Sequence, residues 1–149
     1  MFRRRSAGIE VLLAHPGGPF FTNKDAGAWT IPKGGPEPGE DLMQRARIEF
    51  EEELGIKPEG ELLPLGSVRQ KAGKIVHAWA IEGDLPADFA ANSNTFQIEW
   101  PPRSGKMQSF PEIDRAGFFS LEEAAEKINP AQKEFLDRLQ EYIATDEVD

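Results

Sequence analysis

The chain has 149 residues, with 26 acidic against 17 basic side chains and a net charge of −9. That length suits one domain with a sizeable core, and the acidity argues against nucleic-acid polymers and anionic membranes, which both call for a basic face. Cysteine is absent, which excludes disulfides, zinc–thiolate centres and thiol nucleophiles.

The opening MFRRR is basic, but the apolar run after it, IEVLLA, is short, broken by Glu10 and stopped at His15-Pro16-Gly17-Gly18. It makes a poor signal peptide, and no run is long enough to span a membrane, so a cytoplasmic protein is expected. GIEVLLAHPGG reads as a short strand closed by turn residues. The Gly/Pro-punctuated stretch FFTNKDAGAWTIPKGGPEPGE follows, with room for a short strand around Trp29–Ile31. From Asp41 to Leu54 the period becomes helical: Leu42, Ala46, Phe50 and Leu54 form an inner stripe, and Gly55 is a good stop. GSVRQKAGKIVHAWAIEGD predicts a hairpin turning at Ala72-Gly73, with Ile75, His77, Trp79 and Ile81 on the inner face. NTFQIEW and RAGFFS predict further strands. Helical patterns cover Leu121–Ile128, capped by Ser120, and Ala131–Ile143, and residues 142–149 read as a frayed acidic tail. Strands interleaved with helices, without an internal repeat or linker, predict a single α/β domain over residues 1–149.

Four carboxylates crowd IEFEEELG, at a cost of a few tenths of a kcal/mol per like-charged pair at helical spacing. With Arg45 at 0° and ~100° per residue, Glu49 falls near ~40°, Glu52 near ~340° and Glu53 near ~80°, while Glu51 points away near ~240°. Such a face is either solvated or built for a hard cation such as magnesium or manganese. The preceding IPKGGPEPGE favours the cation. Its glycines let the backbone approach a ligand, its prolines stiffen the path, and Lys33 offers a point charge to phosphate. It is not a P-loop, because no Gly-Lys-Ser/Thr opens the helix.

Gly34, five residues, Glu40, seven residues, then Ile48-Glu49-Phe50-Glu51-Glu52-Glu53-Leu54-Gly55-Ile56 resembles the Nudix box, with its spacing kept throughout. WTIPKGG resembles the lead-in of Nudix members acting on dinucleoside polyphosphates. HPGGPF, SNTFQIEWPPRSGK and FPEIDRAGFF resemble a bacterial subgroup of predicted nucleoside triphosphate pyrophosphohydrolases. The resemblance implies a Nudix-like α/β/α sandwich, classed α/β (α+β), with a mixed sheet between helices. It implies hydrolysis of a nucleoside diphosphate derivative with Mg2+ or Mn2+, on a nucleotide-type small molecule. On this reading Glu49, Glu52 and Glu53 hold metal with a backbone carbonyl of Lys33 or Gly34. Glu40 orients the loop or holds an outer metal. Catalytic candidates are Glu52, Glu53 and, from later loops, Glu112 and Glu99. Trp29, Lys33 and Arg45 are candidate substrate-binding residues; Trp79 and Trp100 are further candidates to stack on a base, with packing the expected role of Trp79. His77 is expected in the core, and Arg69, Lys71 and Lys74 at a solvated hairpin end, within possible reach of phosphates.

Two features depart from the family pattern. Ile48 stands where the box has an arginine that orients a catalytic carboxylate, and Arg45, one turn earlier, is placed to compensate. The family's first strand normally precedes the RRR segment, and only Met1-Phe2 could represent its end, so either a late start or a missing sheet edge is expected. Ile48 also motivates the alternative of a catalytically weak nucleotide-binding or sensor module.

Overall fold

The computed structural model describes residues 1–32, 41–70, 73–86 and 89–148. Two strands open the chain, β1 (Phe2–Arg5) and β2 (Gly8–Pro16), joined by a two-residue turn in register Phe2↔Val11 to Arg5↔Gly8. After α1 (Leu42–Leu54) come β3 (Leu63–Arg69) and β4 (Ile75–Ala80), then β5 (Thr95–Glu99), β6 (Met107–Pro111) and β7 (Ile113–Ser120). The chain closes with α2 (Leu121–Lys127), a single 3-10 turn at Pro130–Gln132, and α3 (Lys133–Val148). Strand β1, whose three arginines hide it from hydrophobic patterning, and β6 are additional to the elements expected above. The helix α3 runs to Val148, through most of the segment read as a tail.

Strand β2 is the centre of the sheet. It pairs antiparallel with β1 on one edge and with β7 on the other, from Glu10↔Ser120 to Pro16↔Ile113. Where β1 ends, Thr30 takes over that edge by exchanging two backbone hydrogen bonds with Ala14, at 2.8 and 2.9 Å. On its outer side β1 meets the segment after β4 in parallel: Phe2 N donates to Ile81 O and Gly83 N to Phe2 O, both at 2.9 Å. This attaches the β3–β4 hairpin and makes the sheet mixed. The two faces of β2 are divided between the helices, as period-two alternation requires. Leu12 packs with Phe50 and Leu54 of α1, while Val11 and Leu13 pack with Ala124, Leu136, Leu139 and Ile143 of α2 and α3. The result is an α/β/α sandwich. Among the described residues no helix is long and apolar enough to cross a membrane.

The hairpin β3–β4 forms as expected, but with the opposite face inward. Val76, Ala78 and Ala80 are buried, whereas Ile75 is 52 % exposed and His77 is exposed. Both sets of alternating positions are largely apolar, so alternation could not set the phase. The face packed on Phe135 of α3 takes the small and β-branched side chains, and the large Trp79 stays half-buried with His77 stacked on it at 6.4 Å. Ile81 is buried because it lies just past the strand, beside Phe2. His77 is therefore not a core histidine.

Candidate active site

Helix α1 is fixed at both ends. The Asp41 side chain accepts from Gln44 N at 3.1 Å, satisfying one open donor of the first turn. Gly55, at φ 77°, takes the left-handed conformation that favours glycine and donates its N–H to Glu51 O at 2.7 Å. With Phe50 and Leu54 seated on Leu12, the rotation of the helix is set, and Glu49 and Glu53 are carried to the edge of the core. Each is only 8 % exposed, whereas Glu52 is half-buried and Glu51 faces solvent. Arg47 leans the other way and donates to Gly60 O at 2.8 Å.

Arg45 binds Glu49 Oε1 through Nη2 and stands 3.8 Å from Glu52 Oε2. Burial pushes the Glu49 carboxyl above its usual range; Arg45 opposes the shift, and the charges of Glu52 and Glu112 add to it. Glu112 sits on the turn between β6 and β7. There its N–H donates to Asn94 O and its carbonyl accepts from Gly17 N, both at 2.9 Å. Glu99 lies at the opposite end of the β5–β6 hairpin, opposite Met107, whereas Thr95 pairs with Pro111 beside Glu112. Four residues of strand separate the two ends, about 13 Å. Of the two later carboxylates, Glu112 is the one whose charge is felt at Glu49. Ile48, in the position of the box arginine, is 36 % exposed.

Lys33, Gly34, Glu40 and Lys71 lie outside the described residues. Trp29 is a correction: it is 5 % exposed, with its ring edge-on to His15 and Phe119 at 5.1 and 5.0 Å and its Nε1 donated to Asp25 Oδ1 at 2.7 Å. A ring so enclosed packs the core, and the cations of Arg115 and Lys127 already stand over it at 5.3 and 5.7 Å. Trp100 touches Phe20 edge-on at 5.4 Å on the β5–β6 hairpin. Arg69 and Lys74 are exposed.

Two buried polar residues carry no periodic signal and were not singled out from sequence. His15 is fully buried, with Nδ1 2.8 Å from Asp114 Oδ1 and Nε2 2.7 Å from Lys24 O. Gln132 is equally buried; its Oε1 accepts from Ile31 N at 3.1 Å and its Nε2 donates to Gln70 Oε1 at 3.2 Å. Together they anchor the segment that leads into residues 33–40. An apolar cavity of about 90 Å³ lies beside Ala46, Arg47 and Phe50. It is well below the ~300 Å³ at which ligand pockets begin, and it reads as a packing void.

The donors on α1 are all carboxylate oxygens, the chemistry that a hard divalent cation requires. Two of them are nearly buried, and the positive charge at Arg45 already stands against Glu49 and Glu52. Among the described residues no three Asp, Glu or His side chains converge closely enough to hold an ion as they stand. The donors fit such an ion in kind.

The NUDIX domain family model matches residues 1–139. A search of curated proteins gave no match. Among solved structures, a C. elegans Ap4A hydrolase binary complex is 24 % identical over 97 % of this chain and 94 % of its own, with a TM-score of 0.66. The E. coli ORF135 protein is 26 % identical over 99 % and 90 %, with a TM-score of 0.58. The NUDIX domain of Shewanella oneidensis NrtR, complexed with ADP ribose, is 15 % identical over 95 % and 82 %, with a TM-score of 0.63. With an α/β/α sandwich that displays the acidic face of the box helix and a family model spanning nearly all of it, the chain belongs to the Nudix family and is a pyrophosphohydrolase.

Proposed function

We propose that the chain hydrolyses a diphosphate linkage in a nucleoside polyphosphate or a related nucleoside diphosphate derivative, using Mg2+ or Mn2+. The observation that carries this reading is the pairing of two nearly buried carboxylates, Glu49 and Glu53, with Glu52 on one face of α1. Glu49, Glu52 and Glu53 would hold the metal, with a backbone carbonyl of Lys33 or Gly34. Bound there, the ion supplies neutralisation of the diphosphate and a water of lowered pKa. Arg45 orients Glu49 and Glu52 through the ion pairs it makes with both. Glu52, Glu53 and Glu112 are the carboxylates available to accept the proton of the attacking water. Lys33 offers its ammonium to a phosphate of the substrate. The lead-in WTIPKG favours a dinucleoside polyphosphate or a nucleoside triphosphate over ADP-ribose.

The test is a panel of diadenosine polyphosphates, nucleoside triphosphates and ADP-ribose incubated with the protein and magnesium, with products resolved by chromatography. Metal-dependent cleavage of one of the first two classes is expected. Tight nucleotide binding with no cleavage would instead support a weak binding or sensor module, the reading that Ile48 motivates.

A further inference from the structure

On the face of the β2–β7 ladder turned away from α1, a cleft of about 490 Å³ opens between residues 22–25, β7 and the end of α2. Ala116 and Phe118 pack toward α1, so Arg115 and Phe119, which alternate with them, project to the other side. The cleft holds Lys24, Arg115 and Lys127 against a single carboxylate, Asp25, over Trp29 and Phe119. Three cations stand against Asp25, with Asp114 3.6 Å from Arg115, which leaves a net charge of about +1 in a chain whose net charge is −9.

The carboxylate is already fully engaged. Asp25 accepts from Lys127 Nζ at 2.9 and 3.0 Å and from Trp29 Nε1 at 2.7 Å, bonds that hold its carboxyl below the usual range. Arg115 has only a loose tie, 3.6 Å from Asp114 Oδ1, an oxygen that also serves His15 Nδ1 at 2.8 Å. Its side chain is 56 % exposed. The aromatic residues hold the cations in place: the Arg115 guanidinium lies 5.3 Å from the Trp29 ring, and Lys127 Nζ lies 5.2 Å from the Phe119 ring. A concave wall of one sign concentrates the field on an incoming anion.

We propose that this cleft is a binding site for a phosphate group, separate from the carboxylate face of α1. Arg115 supplies the forked donor, and Lys24 and Lys127 supply point charges. A phosphate, of roughly −1.5 to −2 near neutral pH, is attracted by the net positive charge and can draw Arg115 from its loose tie to Asp114. Inorganic phosphate and the phosphate of a nucleoside monophosphate share this chemistry.

The experiment is calorimetric titration of the metal-free full-length chain with inorganic phosphate and, in a parallel arm, with AMP. Phosphate is expected to bind the wild type and Glu52→Gln alike, and Arg115→Ala at least ~10-fold more weakly, with partial recovery in Arg115→Lys. Lys24→Ala, a change at an exposed side chain, should also weaken binding, and it decides the matter should Arg115→Ala fail to fold. AMP binding with the affinity of phosphate would identify the bare anion as the ligand, and tighter AMP binding a nucleotide-borne phosphate. Absence of binding to the wild type, or binding lost in Glu52→Gln but kept in Arg115→Ala and Lys24→Ala, would overturn the assignment.

Discussion

Ile48 and Arg45 sit one turn apart on the outer side of α1, and the ion pairs are made from the earlier position. Arg45 reaches both Glu49 and Glu52, and we propose that it supplies the orienting guanidinium that the box places at position 48. A guanidinium–carboxylate contact fixes direction as well as charge. Arg45→Ala is expected to lower kcat/KM at least ~10-fold, and Ile48→Arg in that background to recover part of the loss, a coupling read from a double-mutant cycle. Additive effects would show that the two positions do not substitute for one another. The pH profile should respond as well. Burial raises the Glu49 carboxyl and Arg45 holds it down, so loss of Arg45 should move the acid limb of kcat/KM to higher pH. Because the folded pKa of Glu49 is the higher one, its ionisation costs stability as pH rises from the ordinary carboxylate range through that folded value. A limb that stayed in place or moved to lower pH would contradict the assigned contact.

At the scale of elements, the loop after β2 and the turn before β7 are locked together at one glycine. A Cβ on Gly17 would lie 2.0 Å from Pro111 O, and Gly17 N already donates to Glu112 O. Gly17→Ala must push the two segments apart. It is expected to destabilise the fold by about 1–3 kcal/mol, the range for overpacking, and to lower turnover by displacing Glu112. Urea melts and steady-state kinetics on the same variant check both effects, and unchanged values would free Glu112 from the site. Such a contact could not be read in the sequence, where Gly17 and Glu112 are 95 positions apart. The helix was legible because its inner stripe, cap and stop all lie within fifteen residues, and the ~100° period then placed Glu49, Glu52 and Glu53 together. The β3–β4 hairpin was legible as an element, but not in phase, since Ile75, Trp79 and Ile81 are as apolar as Val76, Ala78 and Ala80. Burial of Trp29 and the roles of His15 and Gln132 depend on partners from distant segments: Phe119, Asp114 and Ile31. No local pattern announces these.

Across the whole molecule, the fold maintains repulsion that the unfolded chain does not feel. Packing α1 against Leu12 concentrates Glu49, Glu52 and Glu53 on one face, with two of them nearly buried. A divalent ion that binds only the folded state should therefore raise the melting temperature. At tenfold excess over its dissociation constant the gain is about 1.4 kcal/mol, or about 3–6 °C for a domain of this size. Melts in magnesium against potassium at matched ionic strength measure it, and the shift should shrink in Glu49→Gln. Equal melting temperatures in the two salts would favour a merely solvated acidic face.

Turnover of Glu52→Gln and Glu53→Gln, measured with magnesium on whichever substrate the wild type cleaves, bears most directly on the assignment of α1 as the catalytic element. Each substitution keeps the size of the side chain and removes its charge. Each should reduce kcat at least ~100-fold, the scale for loss of a metal ligand or an acid–base group, while circular dichroism stays that of the wild type. Wild-type rates with unchanged magnesium dependence in both variants would place the chemistry elsewhere.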